Sequence, residues 1–341
     1  MTKVQRVNAM LLLVTLVACS MVQGCERTTN TGKGANVPMK TYYIGRFSLA
    51  VPAEMTMDER RSVLRFAEIK EIVWSKDVTH EQARETEWNR FMLDIKKLEP
   101  PKGKNNAIIR MKDFSGIGQW AKGVYYFYDD FSDYDGRWAL LVDIGPAGVW
   151  FRGNSVVEKE DVNHYLEQNI EASAKAYIYS DLKLPKTLPI GDWFYLERGA
   201  INRPYRSQEE SYASFEGHQL NLNISIKMEM DGDHYRETMG LIEGTKGMID
   251  DASREPGISF SIVRLGKREV AGMKGEESIL RASDNGKKSL LFAWEFNGKE
   301  DSGEYPTTTI EMEAPDGKLD EKMAIWDAVL DSMKPMFERK R

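Results

Sequence analysis

Between Gln219 and Met230 the chain alternates without interruption. Leu220, Leu222, Ile224, Ile226, Met228 and Met230 fall on one side, and Asn221, Asn223, Ser225, Lys227 and Glu229 on the other. A period of two makes a strand with one buried and one wet face, and such a strand persists only in a sheet packed against an apolar layer. Shorter extended runs flank it at Trp193–Arg198, Phe260–Leu265, Glu276–Ala282, Ser289–Phe296 and Thr307–Ala314. Two helices complete this half. One, from His234 to Met248, is diluted by Gly240, Gly244 and Gly247; the other, from Asp320 to Met333, puts Met323, Trp326, Leu330 and Met333 on one stripe before Pro335.

The first half reads in the same order. Strand-like runs at Tyr42–Val51 and Phe66–Trp74 precede a helix opened by a capping box, Thr79 with Gln82, and closed by Pro100 and Pro101. Trp88, Phe91, Met92, Ile95 and Leu98 recur on it at helical spacing. Strands at Ala107–Asp113, Gly123–Tyr128, Arg137–Asp143 and Val149–Arg152 lead to a helix from Glu160 to Ala176. The pattern predicts an α+β fold of two similar domains, 38–184 and 190–341, each an antiparallel-rich sheet with two helices, with a cleft between them. Two prolines bracket the join, Leu184-Pro185-Lys186-Thr187-Leu188-Pro189.

The N-terminus is an address. Lys3 and Arg6 precede an apolar stretch from Ala9 to Val17, too short for a lasting membrane span. Both cysteines of the chain follow it. Leu16-Val17-Ala18-Cys19 fits a bacterial lipobox, and Val22-Gln23-Gly24-Cys25 resembles one, so either Cys19 or Cys25 is the expected lipid anchor of a signal region spanning 1–25. A free second thiol in an oxidising periplasm argues for Cys25, the motif for Cys19. Neither Ser20 nor Glu26 is the aspartate that retains lipoproteins in the inner membrane, which points to the outer one. Residues 26–37 lack apolar periodicity and read as a flexible tether. No cysteine remains in the body, so packing rather than disulfides must hold it together.

Charge and residue inventory exclude several classes of function. With 47 basic and 53 acidic residues the net charge is −6, and removal of Lys3 and Arg6 leaves 45 against 53, or −8, the wrong sign for general nucleic-acid binding. Four scattered histidines offer no metal spacing, and neither a Gly-x-Ser-x-Gly elbow nor a His-Glu-x-x-His motif occurs. No cofactor is implied. Asp129, Asp130, Asp133 and Asp135 cluster before Gly136 between two strands. They half-resemble a calcium loop, but Phe131 stands at its first ligand position and Val142 at its twelfth. A solvated hairpin turn and a partner-facing acidic loop are the other readings, and Asp129 with Asp133 is the pair an unrecognised carboxylate enzyme would use. The aromatic run Tyr125, Tyr126, Phe127 and Tyr128, with Trp120, Trp138 and Trp150, suggests either a carbohydrate or lipid platform or, the preferred reading, a sheet covered on both faces, one by its own core and one by the neighbouring domain.

Residues Phe260 to Met336 resemble the C-terminal domain of the type VI secretion lipase-immunity lipoproteins. The residues concerned are Arg268-Glu269-Val270-Ala271-Gly272, Gly275-Glu276-Glu277, Phe292-Ala293-Trp294-Glu295, Tyr305-Pro306 and Trp326-Asp327-Ala328-Val329-Leu330-Asp331-Ser332-Met333-Lys334-Pro335. Tyr43-Ile44-Gly45-Arg46-Phe47 and Val51-Pro52 resemble the first domain of that family, although members often carry a cysteine where this chain has Tyr42 or Tyr43. The resemblance implies a non-enzymatic periplasmic antitoxin that binds a secreted phospholipase and blocks its active site; from the charge pattern, the acidic loop Asp129–Asp135 is the expected part of the contact. An outer-membrane scaffold for envelope assembly is the alternative.

Overall fold

The computed structural model describes residues 37–338, apart from 115, 119, 158–159, 181–187, 189–190, 207, 231–239 and 301. Cys19 and Cys25, the signal region and all of the tether but Val37 lie outside the described residues, as does most of the proline-bracketed join.

One antiparallel sheet of twelve strands runs through the body. From one edge it begins with β14 (Ile258–Val270), β15 (Met273–Asp284), β16 (Lys287–Asn297), β17 (Thr307–Pro315), β13 (Asn223–Glu229) and β12 (Glu209–Glu216). It continues with β3 (Thr56–Leu64), β4 (Ala67–Val73), β8 (Ala147–Val156), β7 (Asp135–Asp143), β6 (Trp120–Phe127) and β5 (Ile108–Asp113). The α+β class read from the sequence stands, and both halves contribute to the one sheet. At the junction β3 pairs with β12, Ser62 facing Ser211, so any cleft between the halves lies beside a continuous sheet.

Neither junction strand is legible as a strand in the sequence, and the packing shows why. Ser62 and Ser211 are buried where aliphatic residues would normally mark a strand. They are small because another layer presses on them. The β1 (Met39–Ile44) and β2 (Phe47–Pro52) hairpin turns at Gly45, whose φ is +56° and where a Cβ would lie 2.2 Å from Ser211 Oγ. Gly45 also exchanges backbone hydrogen bonds with Tyr195 of β10 (Trp193–Tyr195), at 3.2 and 2.7 Å. Glycine is therefore required there for both conformation and space.

The hairpin belongs with the far end of the chain. β2 pairs with β18 (Lys334–Pro335), and helix α4 (Leu319–Ser332) packs on it. Ile44, Phe47, Leu49, Val51 and Met55 share one buried cluster with Ile224, Ile226, Met228, Phe292, Trp294, Ile310, Met312, Trp326 and Leu330. The Ala50 N–H donates to Ser332 Oγ at 2.8 Å. Arg46 is buried as well, paired with Glu209 through Nε and Nη2, both at 2.7 Å.

Strands β6 to β8 are buried on both faces, which is why they read as unbroken apolar runs. Trp138, Leu140, Val142, Val149 and Phe151 join Ile170 and Ala174 of helix α2 (Glu160–Lys175) on one face. Trp120, Val124, Tyr126, Leu141 and Trp150 join Trp88, Met92 and Ile95 of helix α1 (His80–Lys96) on the other. The second cover is thus a helix of the same half, a correction to the neighbouring domain that the sequence suggests. The reason is that the α1 stripe is itself aromatic, Trp88 stacking on Trp150 at 6.0 Å between centroids. The capping box is present: Gln82 N–H donates to Thr79 Oγ1 at 3.3 Å and Thr79 N–H to Gln82 Oε1 at 3.1 Å.

Several boundaries differ from the sequence reading: the run Tyr42–Val51, expected as one strand, is the β1–β2 hairpin, because Gly45 turns the chain, and Phe260–Leu265 extends to Ile258–Val270. The alternating strand spans Asn223–Glu229, because Asn221 adopts φ +53° and turns the chain before it. Helix α3 is seen from Leu241 to Ala252, past the expected stop at Met248, and 231–239 lie outside the described residues. Packing outweighs its glycines: Leu241 is buried, Thr245 Oγ1 donates to Ser278 Oγ at 3.0 Å, and the Ile242 N–H donates to Glu276 Oε2 at 2.9 Å.

His218 gives the fold a pH dependence. Its buried Nδ1 accepts the Leu220 N–H at 3.0 Å, so the ring proton sits on Nε2, 3.1 Å from Glu54 Oε1. Burial lowers the imidazole pKa, with Glu54 opposing. In the unfolded chain the ring takes a proton near pH 6.5, while the folded one takes it only lower. The stabilisation is therefore complete above about 6.5 and is lost as pH falls through the folded value. His218→Asn, which keeps an acceptor for Leu220, is expected to flatten the fall in melting temperature between pH 7 and 5.5; an unchanged slope would remove His218 as its source.

Candidate partner interface

The residues that carry the family resemblance form a structural network. Glu277, only 4% exposed, receives Trp326 Nε1–H at 2.7 Å, Arg268 Nη1–H at 3.1 Å and Arg264 Nη2–H at 2.9 Å. Arg264 also reaches Asp327 at 2.6 Å, and Arg268 reaches Asp331 at 2.7 Å. Burial pushes the Asp327 carboxyl up, but the hydrogen bonds from Arg264 and Arg268 outweigh it and hold it below its ordinary range. Gly275 is needed because a Cβ there would lie 2.6 Å from the Trp294 ring and 2.4 Å from the Glu295 carbonyl. Ala271 and Gly272, at φ +51° and +74°, form the β14–β15 turn. These groups satisfy one another, with Glu277 and Trp326 buried and Asp331 at the exposed end. A partner surface has to be sought elsewhere.

The acidic loop is the turn between β6 and β7. Asp130 and Asp135 are exposed, Asp129 and Asp133 half-buried. Asp129 Oδ1 accepts the N–H groups of Phe131 and Ser132 at 3.1 and 3.2 Å, and Ser132 Oγ accepts the Tyr134 N–H at 3.2 Å. Asp129 therefore shapes the turn. The calcium-loop comparison does not survive this geometry: the turn closes by Asp135, where β7 begins, and Val142 is a buried strand residue. Among the described residues no three His, Cys, Asp or Glu side chains are arranged to hold a metal ion.

At the apex stands a side chain that attention to the aspartates passes over. Phe131 is 92% exposed, flanked by Tyr128 and Tyr134, each about half exposed. Tyr128 lies just outside β6, so it faces solvent although the sequence places it at the strand's end. The available signal was an aromatic residue in mid-turn among acids, where glycine or asparagine would be ordinary.

Residues 188–336 match the model of the Tle cognate immunity protein 4 C-terminal domain. Three solved structures share the fold at 18–19% identity. The apo immunity protein TplEi of the type VI secretion system of Pseudomonas aeruginosa aligns with a TM-score of 0.69 and 19% identity over 88% of this chain and 98% of that one. The Tle4–Tli4 complex gives 0.70 and 19% over the same shares. TplEi complexed with an "L" peptide gives 0.65 and 18%, over 87% and 98%. No curated protein matches. The matched region holds the whole Glu277 network, and the shared fold covers more of the chain than that region. The matched region omits β1 and β2, although these strands complete the core around its Trp326.

Proposed function

We propose that the chain is a periplasmic immunity protein that binds a type VI secretion lipase effector and keeps substrate from its active site. The observation that carries this reading is the family match over 188–336, with the signature residues assembled into one network around Glu277. A fold shared with TplEi and with the Tle4–Tli4 complex supports it. The reading is non-enzymatic: inhibition by occlusion needs a well-packed interface of roughly 1,600 Å² and slow release, not a catalytic group.

In this reading the two parts of the body, 38–184 and 190–341, both contribute to the grip. Asp129, Asp130, Asp133 and Asp135 belong to the contact, where their charge speeds encounter with a basic surface. Lipidation at Cys19 or Cys25 and the tether through residue 37 hold the body near the membrane, the outer one since neither Ser20 nor Glu26 is the retention aspartate. The chain purified from cells with the lipase encoded beside it is expected to carry the enzyme stoichiometrically and abolish its phospholipase activity. Its N-terminal peptide is expected to weigh as a lipidated cysteine. A lipase that stays fully active in molar excess of this chain would end the immunity reading, and an unmodified N-terminus would end the anchor.

A further inference from the structure

We infer that Phe131 is the anchor of the docking surface, inserted into an apolar pocket rimmed by Lys and Arg on the partner protein, with Tyr134 and Tyr128 packing around its mouth. This rests on the immunity reading above and adds to it a residue and a partner chemistry.

The first argument is exposure on an ordered support. Single exposed apolar side chains are common on flexible surface loops and need no explanation. Phe131 differs because the loop beneath it is held from every side. Asp129 accepts two backbone N–H groups at the apex. The Val157 N–H donates to the Tyr134 carbonyl at 2.6 Å, tying the turn to the end of β8. Arg137 lies over the Tyr128 ring, 3.4 Å from its centroid, while its Nε donates to Asn154 Oδ1 at 2.8 Å. At the base a Cβ on Gly136 would meet the Tyr125 ring at 2.5 Å, and Tyr125 in turn stacks on Trp138 at 4.9 Å. An aromatic side chain presented on a pre-ordered turn loses little freedom on docking, which is how rigid aromatic anchors gain affinity.

The second argument is charge. Among the described residues none of Asp129, Asp130, Asp133 and Asp135 lies within ion-pair distance of a cation. A tip that is aromatic at its apex and acidic around it matches an apolar pocket with a basic rim. The same acids disfavour a bilayer, because a tip with four carboxylates is repelled by an anionic lipid surface. The apex is therefore fitted to protein.

The test uses the whole secreted chain and its cognate lipase in surface plasmon resonance, with thermal melts of each variant. Phe131→Ser is expected to leave the melting temperature within about 1 °C, because the ring touches little, and to weaken binding at least about 30-fold, mainly through faster release. Phe131→Trp is expected to bind within a few-fold of the parent. The double change Asp130→Asn with Asp133→Asn is expected to slow association and reduce its salt dependence while leaving release unchanged.

Binding of Phe131→Ser equal to the parent would overturn the anchor and leave the immunity reading intact. Failure of the parent chain itself to bind the lipase would overturn both. Loss of vesicle binding, or of self-association in sedimentation, by a Phe131→Ser chain that still holds the lipase would assign the tip to a membrane or to a second copy and overturn the proposal.

Discussion

A chain lacking residues 38–55 is expected not to fold its C-terminal half. Those residues supply Ile44, Phe47, Leu49, Val51 and Met55, each no more than 2% exposed, to the cluster around Trp326. At about 1.5–3 kcal/mol for each buried side chain, the loss is on the order of 10 kcal/mol, comparable to the whole stability of a typical domain. Deletion also removes Arg46 and leaves the buried carboxylate of Glu209 without its bidentate partner. Burial already pushes the Glu209 pKa up against the pull of Arg46. A fragment spanning only the family region, 188–336, is expected to behave likewise, with loss of near-ultraviolet circular dichroism and a low, broad melt. Supplying a peptide of residues 37–56 is expected to restore part of the signal. A fragment that melts cooperatively without it would show that the hairpin is dispensable.

Glu277→Ala is expected to be the most damaging single substitution of a polar residue. The carboxylate collects two guanidinium groups and an indole N–H. Removing one partner of a buried, hydrogen-bonded charge set costs up to about 3–5 kcal/mol; here Arg264 and Arg268 keep Asp327 and Asp331, while the buried Trp326 N–H loses its acceptor. Glu277→Gln keeps an acceptor and the shape, and should cost clearly less. Trp326→Phe, which deletes only one donor and some volume, should fall between the Gln variant and the parent. Chemical denaturation of the three variants decides the order. A Glu277→Ala chain as stable as the parent would mean that Asp327 and Asp331 suffice to balance Arg264 and Arg268.

How much of this was legible in the sequence depends on what fills each buried position. The α1 start was legible because a capping box is side-chain chemistry at fixed spacing, and Thr79 with Gln82 satisfies it. β13 was legible because its buried face is aliphatic throughout. β3 and β12 were not, because their contact layer is Ser62, Ser211 and Ala213, chosen for thinness under the Gly45 turn. No periodicity records a demand for small size imposed by residues far along the chain. The resemblance around Arg268, Glu277 and Trp326 was visible for the opposite reason: large, mutually hydrogen-bonded residues admit few substitutes. That visibility belongs to the scaffold. The β6–β7 turn showed its four aspartates in the sequence but not the exposure of Phe131, since turn exposure is set by where β6 and β7 end.

The pairing of the first strands with the last helix has a consequence for synthesis. Ala50 and Ser332, joined by a hydrogen bond, are 282 residues apart. At about 5–20 residues per second, translation places β2 in the cell on the order of 15–60 s before α4 exists. Throughout that interval Phe47, Leu49 and Val51 have no native cover and depend on shielding by chaperones. A ribosome that stops before residue 319 therefore releases a chain whose first hairpin stays bare.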